Sequence, residues 1–108
     1  MRIYISGPIT GTADYEERFA AAASAIKADG HTYVNPAMLT RFMPDISYET
    51  CMAIDMEYLT RCDAICLLPG WARSQGCKVE REAAIKHGLY FYDIKTGTFT
   101  GGPGGRSK

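Results

Sequence analysis

No charge of either sign is in excess: 12 Lys and Arg balance 12 Asp and Glu across 108 residues. No stretch gathers Lys and Arg into a patch that would track a phosphate backbone, which argues against a nucleic-acid polymer as partner. No apolar run nears the roughly 20 residues that a membrane span needs, and no leader-like stretch precedes Arg2. The expectation is a cytoplasmic protein without membrane attachment. The four cysteines, Cys51, Cys62, Cys66 and Cys77, form no CxxC pair, and no His-x₃₋₅-His accompanies them. They read as small reduced residues, with no metal centre and no cofactor expected. There are no internal repeats, and the length suits one core.

What is present centres on Asp63 to Ala84. Ala64-Ile65-Cys66-Leu67-Leu68 is a short apolar run of strand length. Pro69-Gly70 stops it, Trp71 to Gly76 reads as loop, and from Cys77 the spacing of Val79, Ala83 and Ala84 turns helical. Glu80 then stands in the first turns of a helix that follows a strand and a tight loop. That is where open α/β sheets bind ligands.

The rest of the chain supplies similar units. Arg2 to Ser6 predicts a first strand, and Gly7-Pro8-Ile9-Thr10-Gly11 a loop matching neither GxGxxG nor the Walker pattern. Its glycines serve either a tight turn or a close approach to a ligand. Tyr4 is either a core residue or a pocket hydroxyl. Thr12 or Asp14 caps a helix to about Asp29, striped by Phe19, Ala22, Ala23 and Ile26. His31 to Asn35 reads as a second strand, with His31 solvated. Met38, Leu39, Phe42 and Met43, ended by Pro44, read as an apolar cover or pocket wall. Ser47, with or without Thr50, caps a helix from about Tyr48 to Arg61. On that helix Asp55 falls among Met52, Met56 and Leu59, so it is either at the edge of the apolar stripe or buried for a reason. Leu89 to Tyr92 is a fourth strand.

Alternating strands and helices predict an α/β fold, a flavodoxin- or Rossmann-like three-layer sandwich whose mainly parallel sheet has four to five strands. Residues 1–95 form the expected domain, and the Gly-rich stretch 96–108 a flexible tail. The order brings the Tyr4–Gly11 loop, Asp55 and the Trp71–Glu80 segment towards one crevice.

Several pieces, in this order and spacing, carry a family resemblance. They are Ile3-Tyr4-Ile5-Ser6-Gly7-Pro8-Ile9, Asn35-Pro36, Asp55 followed by Cys62-Asp63-Ala64, and Leu68-Pro69-Gly70-Trp71 with Ser74-x-Gly76-x₃-Glu80. Over about residues 2 to 92 the chain resembles the nucleoside 2-deoxyribosyltransferase superfamily, nearest to its small phage and bacterial members without an assigned function. The resemblance implies that Glu80 is a nucleophile at the anomeric carbon, Asp55 the carboxylate that meets the base, and Tyr4 a positioning group. Free-nucleoside transferases carry an aspartate six residues before the nucleophile. Here that position is Ser74, as in the deoxynucleoside monophosphate N-hydrolase branch, where a hydroxyl can donate to a 5′-phosphate that a carboxylate would repel.

Gly76, Arg73 and the helix start extend the same phosphate contact, Ser6, Gly7 and Gly11 approach phosphate or sugar, and Trp71 is a candidate base stack. The implied substrate is a small-molecule nucleotide or nucleoside, and the implied assembly a homo-oligomer, dimer or higher. The segment that completes a neighbouring subunit's pocket in the family is not recognisable after Asp93. A non-catalytic nucleotide-binding or sensing module is the alternative, although a pure binder has no need of a nucleophile.

Overall fold

A computed structural model describes residues 1–38, 43 and 45–103. Within it five strands and three helices alternate: β1 (Arg2–Ser6), α1 (Tyr15–Ala28), β2 (Thr32–Val34), α2 (Tyr48–Thr60), β3 (Ala64–Leu67), α3 (Gln75–Lys86), β4 (Tyr90–Asp93) and β5 (Thr98–Gly101). The sheet order is β2-β1-β3-β4-β5, parallel except for the last pair. β1 pairs with β3 from Ile3 opposite Ala64 to Ser6 opposite Leu67.

Strand alternation sorts the side chains into two apolar layers. Ile3, Ile5, Ala64 and Cys66 pack with Phe19, Ala22, Ala23 and Ile26 of α1. Tyr4 and Ile65 face the other way, against Leu59 of α2 and Ala84 of α3. The result is the expected three-layer α/β architecture in flavodoxin-like order. Because β1 has β2 on one side and β3 on the other, a crevice opens beyond the carboxyl ends of β1 and β3.

The helix starts follow local chemistry. Ser47 Oγ accepts from the Thr50 amide at 3.1 Å at the head of α2, and Ser74 Oγ accepts from the Cys77 amide at 3.2 Å at the head of α3. Asp14 occupies the N-cap of α1 without a side-chain bond.

Two expectations are corrected. The expected domain edge at residue 95 falls inside a hairpin, because Thr98–Gly101 pair antiparallel with β4. Phe99 anchors that strand against Tyr92, their rings 4.9 Å apart. His31 is half-buried, not solvated, its ring edge-on to Tyr92 and Phe99 at 5.6 and 5.3 Å. Leu39, Phe42 and Pro44 of the expected apolar wall lie outside the described residues. Cys66 is buried in β3 as expected, and the four cysteines are free. No helix among the described residues is long and apolar enough to cross a membrane.

Candidate functional site

Two residues apart on β1, Tyr4 and Ser6 present their hydroxyls to the same face of the sheet. The helix crossing that face is α3, and Glu80 points back from it. The Tyr4 hydroxyl donates to Oε2 of Glu80 at 2.7 Å, and the Ser6 hydroxyl donates to Oε1 at 2.7 Å. Glu80 is only 6% exposed and Ser6 1%. Each carboxylate oxygen therefore has its own donor, which fixes the head group and favours its charged form. Burial pushes the Glu80 carboxyl above its ordinary range, and these two hydrogen bonds hold it back.

Asp55 reaches the same place from α2. It is 9% exposed, and its Oδ1 has no hydrogen-bond partner among the described residues. Burial, then the neighbouring charge of Glu80, pushes its carboxyl up to about 7, with Tyr4 opposing the rise. The two carboxyls are unequally supported: each Glu80 oxygen has a donor, whereas Asp55 Oδ1 has none among the described residues. Burial and both carboxylates also drive the Tyr4 hydroxyl well above its ordinary value, so it remains a donor.

Both carboxyls line an open cleft of about 890 Å³, which the loop after β1, the start of α2 and the start of α3 enclose. Gly7, Gly11, Ser74 and Gly76 line it with them. Gly11 has φ 77°, the left-handed region glycine enters freely. Gly7 is needed for space: an added Cβ would lie 2.9 Å from Leu68 Cδ1 and 3.1 Å from Phe19 Cε1. Arg73 also lines the cleft.

Three candidates stand outside the lining. Tyr4 and Ser6 do not line the cleft but sit behind Glu80 as its support. Trp71 is outside the lining as well; the Arg81 guanidinium lies over its ring at 5.3 Å, so the ring braces the loop against α3. The sequence reading missed Tyr48, Cys51 and Met52, which line the cleft from α2. Their spacing ahead of Asp55 along one helix was the available signal. Among the described residues no group of three His, Cys, Asp or Glu side chains is placed to hold a metal ion.

A family model described as "Domain of unknown function (DUF4406)" matches residues 1–93. No curated protein matches the sequence. The fold is similar to that of a 2-deoxyribosyltransferase from Bacillus psychrosaccharolyticus, at TM-score 0.67 and 18% identity, over 85% of this chain and 70% of that one. It is also similar to a Clostridium botulinum CMP N-glycosidase, at TM-score 0.60 and 18% identity, over 85% of this chain and 66% of that one. The chain thus spans about two thirds of the length of each, and at this identity the likeness is one of fold.

Proposed function

The chain belongs to the DUF4406 family, and we propose that it cleaves or transfers the N-glycosidic bond of a (deoxy)nucleoside 5′-monophosphate. One observation carries this reading above the rest: a buried glutamate with a separate donor on each oxygen faces a cleft that it shares with an aspartate whose Oδ1 has no hydrogen-bond partner among the described residues and whose carboxyl is pushed up to about 7. The fold shared with a deoxyribosyltransferase and a CMP N-glycosidase supports it.

In this reading a Glu80 oxygen attacks the anomeric carbon while the bond from that carbon to the base nitrogen breaks. The electron pair leaves with the base, and the Asp55 proton passes to the base. An ester joins Glu80 to the sugar. Water, or the nitrogen of a second base, then attacks the same carbon, gives its proton to the Asp55 carboxylate and frees the Glu80 carboxylate, as in two-step glycoside cleavage. Tyr4 and Ser6 hold Glu80 in line throughout, and the serine at position 74 favours a phosphorylated substrate. The exposed apolar side chains of Tyr48, Tyr58 and Val79 on α2 and α3 support a homo-oligomer, which sedimentation would test.

The test is incubation with each ribo- and deoxyribonucleoside 5′-monophosphate, following free base by chromatography, with Glu80→Ala alongside. Base release that falls about a thousandfold or more in the variant is the expected result. Binding of a nucleotide without release would replace the enzyme reading with that of a nucleotide sensor.

A further inference from the structure

One wall of the cleft is carried by the short turn between β3 and α3. Trp71–Arg73 form a single 3₁₀ turn after Pro69 and Gly70, and Ser74 opens α3. Gly70, Arg73 and Ser74 line the cleft. Arg73 is the only cation among the described residues that does so, and it shares the space with two carboxyls. Its guanidinium lies back over Gly70, where an added Cβ would come within 3.1 Å of Nη2 and 3.3 Å of Pro8 Cγ. The place of Arg73 therefore depends on where this turn is held.

The backbone bonds of the turn are local. Trp71, Arg73 and Ser74 donate to the carbonyls of Leu68, Gly70 and Trp71 at 3.2, 3.1 and 3.0 Å. They shape the turn but do not tie it to the helices. Two arginines do that, one from each helical layer. Arg18 of α1 donates through Nη2 to the Pro69 carbonyl oxygen at 2.6 Å. From α3, in the other layer, Arg81 sets its Cζ 5.3 Å from the centre of the Trp71 ring and 6.0 Å from that of Phe91 on β4. Both distances are in the range where a cation is drawn to a ring face. One guanidinium thus joins turn, helix and sheet. Its ion pair with adjacent Glu82, at 3.5 Å, lies near the surface and adds little. Neither Arg18 nor Arg81 lines the cleft.

We propose that Arg81 is a positioning residue for ligand binding: with Arg18 it clamps the 69–73 turn from both layers and so sets where Arg73 and Ser74 stand in the cleft. The choice of nucleotides as probes rests on the N-glycosidase reading. The clamp acts on the wall and leaves the bonds from Tyr4 and Ser6 to Glu80 in place, so it governs affinity and not the chemical step.

Trp71 is the only tryptophan of the chain, so its emission reads this turn alone. Arg81→Met keeps an unbranched stem without the cation, and Arg81→Lys keeps a cation. Quenching of Trp71 by acrylamide is expected to rise in Arg81→Met and to return towards the parent in Arg81→Lys. Calorimetry then gives Kd for each common ribo- and deoxyribonucleoside 5′-monophosphate, in chains that also carry Glu80→Gln so that no ligand is consumed. The nucleotide that binds the parent most tightly is expected to bind about five- to tenfold more weakly in Arg81→Met and in Arg18→Met, with most of the loss recovered in Arg81→Lys. With Glu80 intact, KM rises by the same factor while kcat and its pH profile hold. A residue that merely supports the fold would lower Tm and leave Kd of the folded chain unchanged. That result overturns the proposal, as does a parent that binds none of these nucleotides. Unchanged Kd beside base release that requires Glu80 removes the clamp and leaves the glycosidase reading standing. Weakened binding in a protein that releases no base upholds the clamp and sinks that reading.

Discussion

The Ser6 hydroxyl donates to Oε1 of Glu80 at 2.7 Å across 74 positions of sequence. The partner bond from Tyr4 takes the other oxygen, so the carboxylate is held from a single strand at two points. A rigid strand is a better mount for a charged group than a loop, because neither donor can drift without disturbing the sheet. The two bonds oppose the upward push that burial gives the Glu80 carboxyl.

Ser6→Ala therefore moves the acid limb of the pH–rate profile to higher pH. The lost bond had lowered the Glu80 carboxyl, so without it Glu80 takes up a proton at a higher pH than before. Base release falls roughly ten- to hundredfold, the range of a charge-assisted hydrogen bond, and most severely on the acid side. A loss of equal size at every pH would show that Ser6 supports the fold and not the charge.

Tyr4→Phe keeps the ring that packs under α2 and α3 but removes a group acting on both carboxyls. Tyr4 opposes the upward shift of Asp55 as well as that of Glu80. Both limbs of the profile are expected to move to higher pH, whereas Ser6→Ala moves the acid limb alone. Steady-state rates from pH 4 to 9 distinguish the two variants, and identical profiles would contradict the geometry.

The architecture was legible because its signals are local. Ile3 and Ile5 alternate with Tyr4, Ser47 sits at a helix start, and Asp55 interrupts an apolar stripe. The role of Ser6 was not legible, since alternation puts it on Tyr4's face but only the packing of α3 brings Glu80 there. Trp71 read equally as a base stack or a packing residue, and the partner the fold gives it, Arg81, lies ten positions on. β5 was hidden by composition: glycines at 97, 101 and 102 suggest a loose tail, while Phe99 supplies the contact that holds the strand. Tyr48 gave only the weak signal of its spacing ahead of Asp55 on one helix, which acquires meaning once the start of α3 lies beside it.

Gly7→Ala crowds the β1 end of the cleft. The added Cβ would meet Leu68 Cβ at 3.1 Å as well as Leu68 Cδ1 at 2.9 Å, and a rotamer change relieves only the second contact. Overpacking of this kind costs about 1–3 kcal/mol, a fall in Tm on the order of 10 °C for a domain of this size. Leu68→Ala placed in the same chain should cost less than it does alone, because it removes the Cδ1 contact, the tightest of the set. Strict additivity in thermal melts of the three variants would show that no such contact exists.

Asp55→Asn should harm the reaction and help the fold. The buried carboxyl is raised from 3.8 to about 7, so the folded state holds a proton that the unfolded state has released between those values. Stability attributable to Asp55 therefore declines as pH rises through that window, and the deficit is complete above about pH 7. Asparagine carries no charge to bury and no repulsion towards Glu80. The variant should gain on the order of 1 kcal/mol at pH 8, several degrees in Tm, and the gain should close towards pH 4. Base release should fall about a hundredfold or more, because no proton is offered to the leaving base, and the alkaline limb near pH 7 should vanish with it. Melts and rates taken across the same pH series check both halves. A variant that is less stable at pH 8 would mean that the Asp55 carboxylate is supported in the fold, and its use as a proton donor at neutrality would fail with that result.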